Sequence, residues 1–300
     1  MLYFGFGVCS GFASGLAYNA VMSTISKWFP DKQGLISGIL LMGFGLGAFI
    51  IGKVYTAYTP EGPESQAWRS SFLVLGVIIF IVLLIGSVFF VKPDPDYNPG
   101  GAETTKKKTS HFKEEGIDVG PSVMLKRPSF WMYFIWAIAL SAAGLALVSQ
   151  ASNIITMQVA PGTDAGTVAT VAGLISIFNG VGRILFGGMY DKFGRKITML
   201  SADFTFVVFI AALLLAMTTK SFPILVISYI LGGLAYSSVT PTNSAFINAF
   251  YGSTHYPVNF PMVNLNLIIA SFSSTIAGSL YTATGSFMST CFMIIGLVIV

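Results

Sequence analysis

The sequence predicts an all-α membrane protein, and three observations carry that prediction. Hydrophobic residues make up 54% of the chain and charged residues only 9%, against about 25% charged in ordinary soluble domains. Apolar stretches recur along the whole length, and a hydrocarbon core of ~30 Å needs only ~20 such residues of helix to cross it. The basic residues follow position rather than forming a patch. Lys27, Lys32, Lys92, Lys106, Lys107, Lys108, Lys113, Lys126, Arg127, Lys192, Arg195 and Lys196 fall in connections after alternate spans, whereas the opposite connections hold Lys53, Arg69 and Lys220. That bias assigns the first set to the cytoplasm and accounts for the formal charge of +4 without nucleic acid as a partner.

The spans fall near 2–26, 34–57, 70–91, 130–157, 167–190, 197–218, 222–247, 261–283 and 287–300, the last too short to cross. In the first, Gly7, Gly11 and Gly15 fall one turn apart, with Asn19 and Ser23 continuing the line. In the second, Gly34/Gly38 and Gly43/Gly47 form small-x-x-x-small pairs. Both patterns predict seams where helices approach closely. Between the third and fourth spans, residues 92–128 carry Pro93, Pro95, Pro99, Gly100, Gly101 and the run Lys106-Lys107-Lys108, which reads as a flexible linker whose lysines face solvent or lipid headgroups. The chain therefore divides into a bundle over 1–91, the linker over 92–128 and a second bundle over 129–300.

The two bundles repeat each other. Gly15-Leu16-Ala17-Tyr18 recurs as Gly233-Leu234-Ala235-Tyr236, and Gly52-Lys53-Val54-Tyr55-Thr56-Ala57 recurs as Gly278-Ser279-Leu280-Tyr281-Thr282-Ala283, in the same order. Residues 130–218 have no counterpart ahead of Met1. The repeat thus predicts that this chain is a fragment, beginning at the fourth helix of a twelve-helix protein and carrying about nine of them.

Catalytic chemistry finds no foothold. Cys9 and Cys291 lie in apolar segments, and His111 and His255 are isolated in predicted loops. No metal-ligand cluster, catalytic triad or phosphate-cradling loop is present, so neither an enzyme nor a cofactor is expected.

One stretch combines an apolar helix, an arginine in its middle and a short charged loop: Asn179-Gly-Val-Gly-Arg183-Ile-Leu-Phe-Gly187-Gly-Met-Tyr-Asp191-Lys-Phe-Gly194-Arg195-Lys196. The loop Gly187-x-x-x-Asp191-Lys-x-Gly194-Arg195-Lys196, set between two spans, resembles the signature loop of the major facilitator superfamily. In that family it joins helices 2 and 3 and recurs between helices 8 and 9, and the present copy fits the second place. Residues Tyr18 to Gly38, through Lys27-Trp28-Phe29-Pro30-Asp31-Lys32, followed by Gly43-Phe-Gly45-Leu-Gly47, are similar to helices 4 and 5 of the oxalate/formate antiporter group. The resemblance implies a major facilitator fold of two pseudo-symmetric helical bundles, multi-pass in the plasma membrane, with the linker in the cytoplasm. It implies secondary transport of a small organic anion by alternating access, against a counter-transported anion or with a proton. In the antiporter group the arginine matched by Arg183 is a carboxylate ligand, and a helix-11 lysine is the second. No lysine follows Lys220, and Leu267 or a neighbour takes that place. This departure argues against a dianion and for a monocarboxylate such as formate, lactate or pyruvate.

The residues support this reading physically. Arg183 lies ~12 Å from Asp191 at ~1.5 Å of helix per residue, too deep for easy snorkelling. A guanidinium at the bilayer centre costs at least ~2.5–3.5 kcal/mol, so it must face protein or a wet cavity. Its planar fork of donors suits a carboxylate. The structural alternative is a pair with Asp203, which enters the next helix at a similar depth. Ser176 and Asn179 share its face, Tyr236, Thr240 and Asn243 form a polar stripe, and Gln150 with Asn153 projects from the helix after the linker. The candidate ligand set is therefore Arg183, Tyr18, Tyr236, Asn179 and Gln150. The candidate gating loop is Gly187, Asp191, Gly194, Arg195 and Lys196, in which Asp191 caps the adjoining helix ends and pairs with Arg195. Rival functions are a cation-coupled carrier of a neutral metabolite, in which Arg183 and Asp203 form a pair, and a membrane receptor or assembly subunit that transports nothing.

Overall fold

The structure is a computed structural model that describes residues 3–29, 32–58, 67–91, 93–94 and 116–299. The elements are helices and their connections. A stretch of wider π-type turns, Tyr3–Ser10, runs into α1 (Gly11–Trp28), followed by α2 (Gln33–Tyr58) and α3 (Ala67–Phe89). A short turn, α4 (Pro121–Met124), leads to α5 (Pro128–Asn153), which continues in π-type turns over Ile154–Val159. Then come α6 (Ala165–Thr219), α7 (Phe222–Ser237), α8 (Val239–Tyr251), α9 (Tyr256–Asn264), α10 (Asn266–Thr284) and α11 (Met288–Val298). The Lys-rich part of the expected linker, with His111, and the side chains of the second repeat's Gly52-Lys53 and Tyr55-Thr56-Ala57 lie outside the described residues.

Local chemistry sets the helix ends. Pro128 opens α5 at a position where a missing N–H costs nothing. Asp164 caps α6 by accepting from the Thr167 N–H at 2.9 Å, and these hydrogen bonds hold its carboxyl below the usual range. The two spans expected over 167–190 and 197–218 are two helices that meet at a kink at Gly194, where φ 77° and ψ 179° are non-helical; α6 denotes the pair. Glycine takes that conformation without strain. The span expected to start at 261 begins earlier, at Tyr256. Pro261 lies inside this segment, in which a tightened turn at Leu265 separates α9 from α10.

Among the described residues, the runs Arg69–Phe89, Pro128–Val159, Ala165–Thr219, Phe222–Tyr251 and Tyr256–Thr284 are long and apolar enough to cross a membrane. The first of these has none of its apolar window buried. Phe72, Leu73, Val82 and Phe89 stand open on it, a surface at home against lipid tails.

The core lies among α5 to α11, where Tyr133 stacks on Phe246 with centroids 3.8 Å apart and Phe206, Phe209, Tyr229 and Phe260 are fully buried. The first helices join it through α2, which packs along the first half of α6. A Cβ added at Gly187 would lie 2.6 Å from the Gly34 carbonyl carbon, and one at Gly38 would lie 2.8 Å from that of Arg183. The seam expected at Gly34 and Gly38 is thus present, backbone on backbone. The seam expected at Gly7, Gly11 and Gly15 is not. Added Cβ atoms there meet nothing within 4 Å, as at Gly43 and Gly47, because no described helix lies against those faces.

Gly187→Val should therefore separate α2 from α6. Overpacking of this kind costs about 1–3 kcal/mol, and relief here requires a backbone shift. A lowered melting temperature in detergent checks it; Gly43→Val, in open space, should leave the melt unchanged.

Candidate functional site

The close approach of α2 and α6 brings two charged residues of α6 onto the backbone of α2. At the basic end, the Asp191 carboxylate accepts from the Gly34 N–H at 2.9 Å and the Leu35 N–H at 2.7 Å. These are two of the amides that the first turn of a helix leaves without an internal partner. Asp191 therefore caps α2, a helix distant in sequence. The expectation that it caps its own helix ends and pairs with Arg195 is corrected. Asp191 lies three residues before the Gly194 kink, and its carboxylate reaches across to the first-turn amides of α2. Arg195 instead lays its guanidinium 5.1 Å from the Phe250 ring centre, fastening the α6 break to the end of α8. Gly187 supplies the close approach and Gly194 the turn, as expected, and Lys196 is exposed.

Two helical turns deeper, Arg183 donates from Nη1 to the Leu41 carbonyl at 2.7 Å. Its Nε is buried and finds no acceptor among the described residues. The hydroxyl-bearing rings of Tyr236 and Tyr18 are close enough to interact electrostatically with the guanidinium. Asn179, one turn away on the same face, is 6% exposed, and its Nδ2 finds no acceptor among the described residues. Tyr236 is seated on α5 at Gly144, where an added Cβ would overlap its ring. Tyr18 rests on Phe260 of α9 with centroids 5.6 Å apart. Of these groups Tyr18 and Leu41 also line a mostly apolar cavity of ≈ 410 Å³, with Ser14, Met22 and Leu83; Arg183, Asn179 and Tyr236 are not among its described lining residues.

Two sequence candidates stand elsewhere. Asp203 is not the partner of Arg183: its Oδ1 accepts the Trp136 indole N–H at 2.8 Å, on the side of α6 that faces α5. Gln150 lines a different cleft, of ≈ 660 Å³, with Asn153, Thr275, Gly278 and Thr282, and accepts from Asn153 at 3.0 Å. Of the candidate ligands, the structure gathers Arg183, Tyr18, Tyr236 and Asn179. The polar stripe on α8 serves packing at Asn243, which accepts from Tyr133 at 2.8 Å and donates to Asn264 at 3.2 Å.

Sequence reasoning missed the Leu41 carbonyl, since a main-chain acceptor has no residue signature. It also missed the hydroxyl chain in which Ser37 and Ser244 lie 2.7 Å apart and Ser244 lies 2.7 Å from the Tyr256 hydroxyl. A signal for the first was present. Gly34, Ser37, Gly38 and Leu41 share one face at helical spacing, the face that meets α6 and α8.

The fold, the signature loop and the central arginine place the chain in a family. The Major Facilitator Superfamily profile matches residues 2–253. The chain belongs to that superfamily, whose members are transporters rather than enzymes. It is 27% identical over 251 residues to the oxalate:formate antiporter of Oxalobacter formigenes, a match covering 82% of this chain and 56% of the antiporter. An uncharacterised transporter of the same superfamily from Escherichia coli (strain K12) is 26% identical over 274 residues, covering 90% of this chain and 63% of the relative. Monocarboxylate transporter 12 of Mus musculus is 29% identical over 87 residues, covering 29% of this chain and 17% of the relative. The chain thus spans less than two thirds of the length of the first two relatives.

Removing the Asp191 cap should loosen α2. Asp191→Ala should cost about 1–2 kcal/mol, since it leaves two helix-start amides without their charged acceptor. Asp191→Asn, which keeps one acceptor oxygen, should cost less. Thermal melts of the two variants in one detergent check the order.

Proposed function

We propose that the protein is the part of a secondary transporter that binds a small monocarboxylate, with Arg183 as the carboxylate ligand and alternating access as the mechanism. The observation that supports this most is the lack of a counter-charge. Among the described residues, each carboxylate near Arg183 in the fold has another role: Asp191 caps α2 and Asp203 holds Trp136. A half-buried cation whose bond among the described residues is to one backbone carbonyl, with two tyrosines near it, is incompletely compensated. An anion supplies what is missing. The Nη1 donor is held by Leu41, which leaves the Nε edge to receive the two oxygens of one carboxylate.

The relatives carry matching names, an oxalate:formate antiporter and a monocarboxylate transporter. The absence of a lysine after Lys220 favours one negative charge over two. Tyr18 and Tyr236, equivalent in the internal repeat, flank the ligand from the two bundles, and Asn179 lies one turn from the arginine. The reading with a neutral metabolite loses its Arg183–Asp203 pair to Trp136.

The charge bias supports a cytoplasmic position for the Asp191 loop, and the α2–α6 seal then belongs to a state closed to the cytoplasm. Asp191 and the Gly34–Gly187 contact form that seal and must part for release inward. Counter-transport of a second anion and symport with a proton both fit this scheme.

Uptake of labelled formate, lactate and pyruvate into proteoliposomes tests the proposal. Arg183→Lys keeps the charge but loses the fork, and transport should fall roughly tenfold to a hundredfold, the worth of a charged hydrogen bond of about 1.5–3 kcal/mol. If no carboxylate is transported or competes, and Arg183→Lys behaves as wild type, Arg183 does not bind an anion.

A further inference from the structure

We infer that residues 116–120, just ahead of the α4 turn, form a strap that holds α9 as a hinged gate segment against α1. The strap lies along the α8–α9 turn. The Ile117 N–H donates to the Phe250 carbonyl at 3.0 Å and the Val119 N–H to that of Tyr251 at 3.3 Å. Asn259 of α9, fully buried, donates from Nδ2 to the Val119 carbonyl at 2.8 Å. Asp118 accepts the Thr254 hydroxyl and sits against Gly252. The strap thus holds the turn through both backbone and side chains, its amides satisfying the last carbonyls of α8, which a helix end leaves without internal partners.

α9 is built to move as a unit. The backbone stays helical at Leu265 but its bonding tightens there, Leu265 N–H to the Met262 carbonyl and Ile268 N–H to that of Leu265, and Pro261 in the middle of α9 removes one internal bond. At this tightened turn Asn264 is held by Asn243 and by the Phe260 carbonyl, which leaves the opposite end of α9 to the strap. α9 also carries the contacts with α1. The Pro257 carbonyl accepts from Asn19 at 3.0 Å, and Phe260 touches Tyr18. Tyr256, stacked on Phe260 at 5.1 Å, reaches the Ser244–Ser37 hydroxyl chain that joins α8 to α2. A displacement of the strap is therefore transmitted through α9 to Tyr18, beside Arg183, and to the α2 seal. The hinge and strap do not depend on what Arg183 binds.

Hydrogen exchange read by mass spectrometry, with the protein in lipid nanodiscs, tests this. Two variants are compared with wild type: Ile117→Pro, which removes one backbone donor, and the surface pair Asp118→Ala with Thr254→Val, which touches no buried group. In both, the amides of 258–264 should exchange about tenfold faster, while those of 268–284 keep the wild-type rate, because a local opening exposes only its own segment. Wild-type exchange in 258–264 for the surface pair would show that the strap does not hold α9. Equal acceleration of 258–264 and 268–284 would show that there is no hinge at Leu265. Either result overturns the inference, and the surface pair decides it if Ile117→Pro does not fold.

Discussion

Asp191 and Arg183 reach from one face of α6 to the main chain of α2, and much of the described structure depends on that contact. The aspartate takes the first free amides of α2, and two turns deeper the arginine donates to the Leu41 carbonyl. Both bonds need the helix axes unusually close, which is why Gly34, Gly38 and Gly187 stand where any side chain would strike backbone. Small residues at helix interfaces are the usual means of close approach in lipid, where the apolar surroundings give no hydrophobic incentive for helices to associate. The same contact joins helices from the two sides of the linker. A transporter that rocks one bundle against the other must make and break it, and polar bonds to backbone suit that better than a deep apolar interlock.

Charge accounting connects this seal to the ligand. Buried charges in a membrane protein need partners or a wet cavity. Asp191 has the α2 amides, Asp203 the Trp136 indole, and Arg195 the face of Phe250. Arg183 has one carbonyl and, among the described residues, an Nε without an acceptor. The arginine is a clamp on α2, and on the proposed reading it is also where an anion gains most. Under the proposed function, a carboxylate that outcompetes the Leu41 carbonyl for the guanidinium would change the seal as it binds, a direct physical route from occupancy to opening. Only differential interaction of this kind lets a ligand shift a conformational equilibrium.

Much of the fold was legible because membrane helices write themselves in long apolar runs. The α3 and α5 segments agree with their sequence boundaries to within a few residues. The Gly-x-x-x-Asp loop and the Tyr18/Tyr236 repeat were equally visible, since both depend on residue identity at fixed spacing. Elements that depend on three-dimensional packing were not. The Asp203 assignment failed because depth along a helix says nothing of azimuth, and Asp203 faces α5. Asp191 was given the wrong helix because a cap can come from a distant segment as readily as from a neighbour. The tightened turn at Leu265 has no residue signature, since it is made by main-chain bonds. The strap carries no apolar signal, and its pairing with Phe250 and Tyr251 is made by main-chain atoms.

The central claim is that one guanidinium is shared between the α2 backbone and a carboxylate. Solid-state NMR on protein in lipid, with ¹⁵N in the Arg183 guanidinium and ¹³C in the Leu41 carbonyl, measures it directly. Without ligand, Nη and the Leu41 carbonyl carbon should show the dipolar coupling of a hydrogen-bonded pair. Adding ¹³C-carboxyl pyruvate should produce a new coupling to the guanidinium nitrogens and weaken the first. A Leu41 coupling that persists at saturating carboxylate, with no new coupling, would contradict the account.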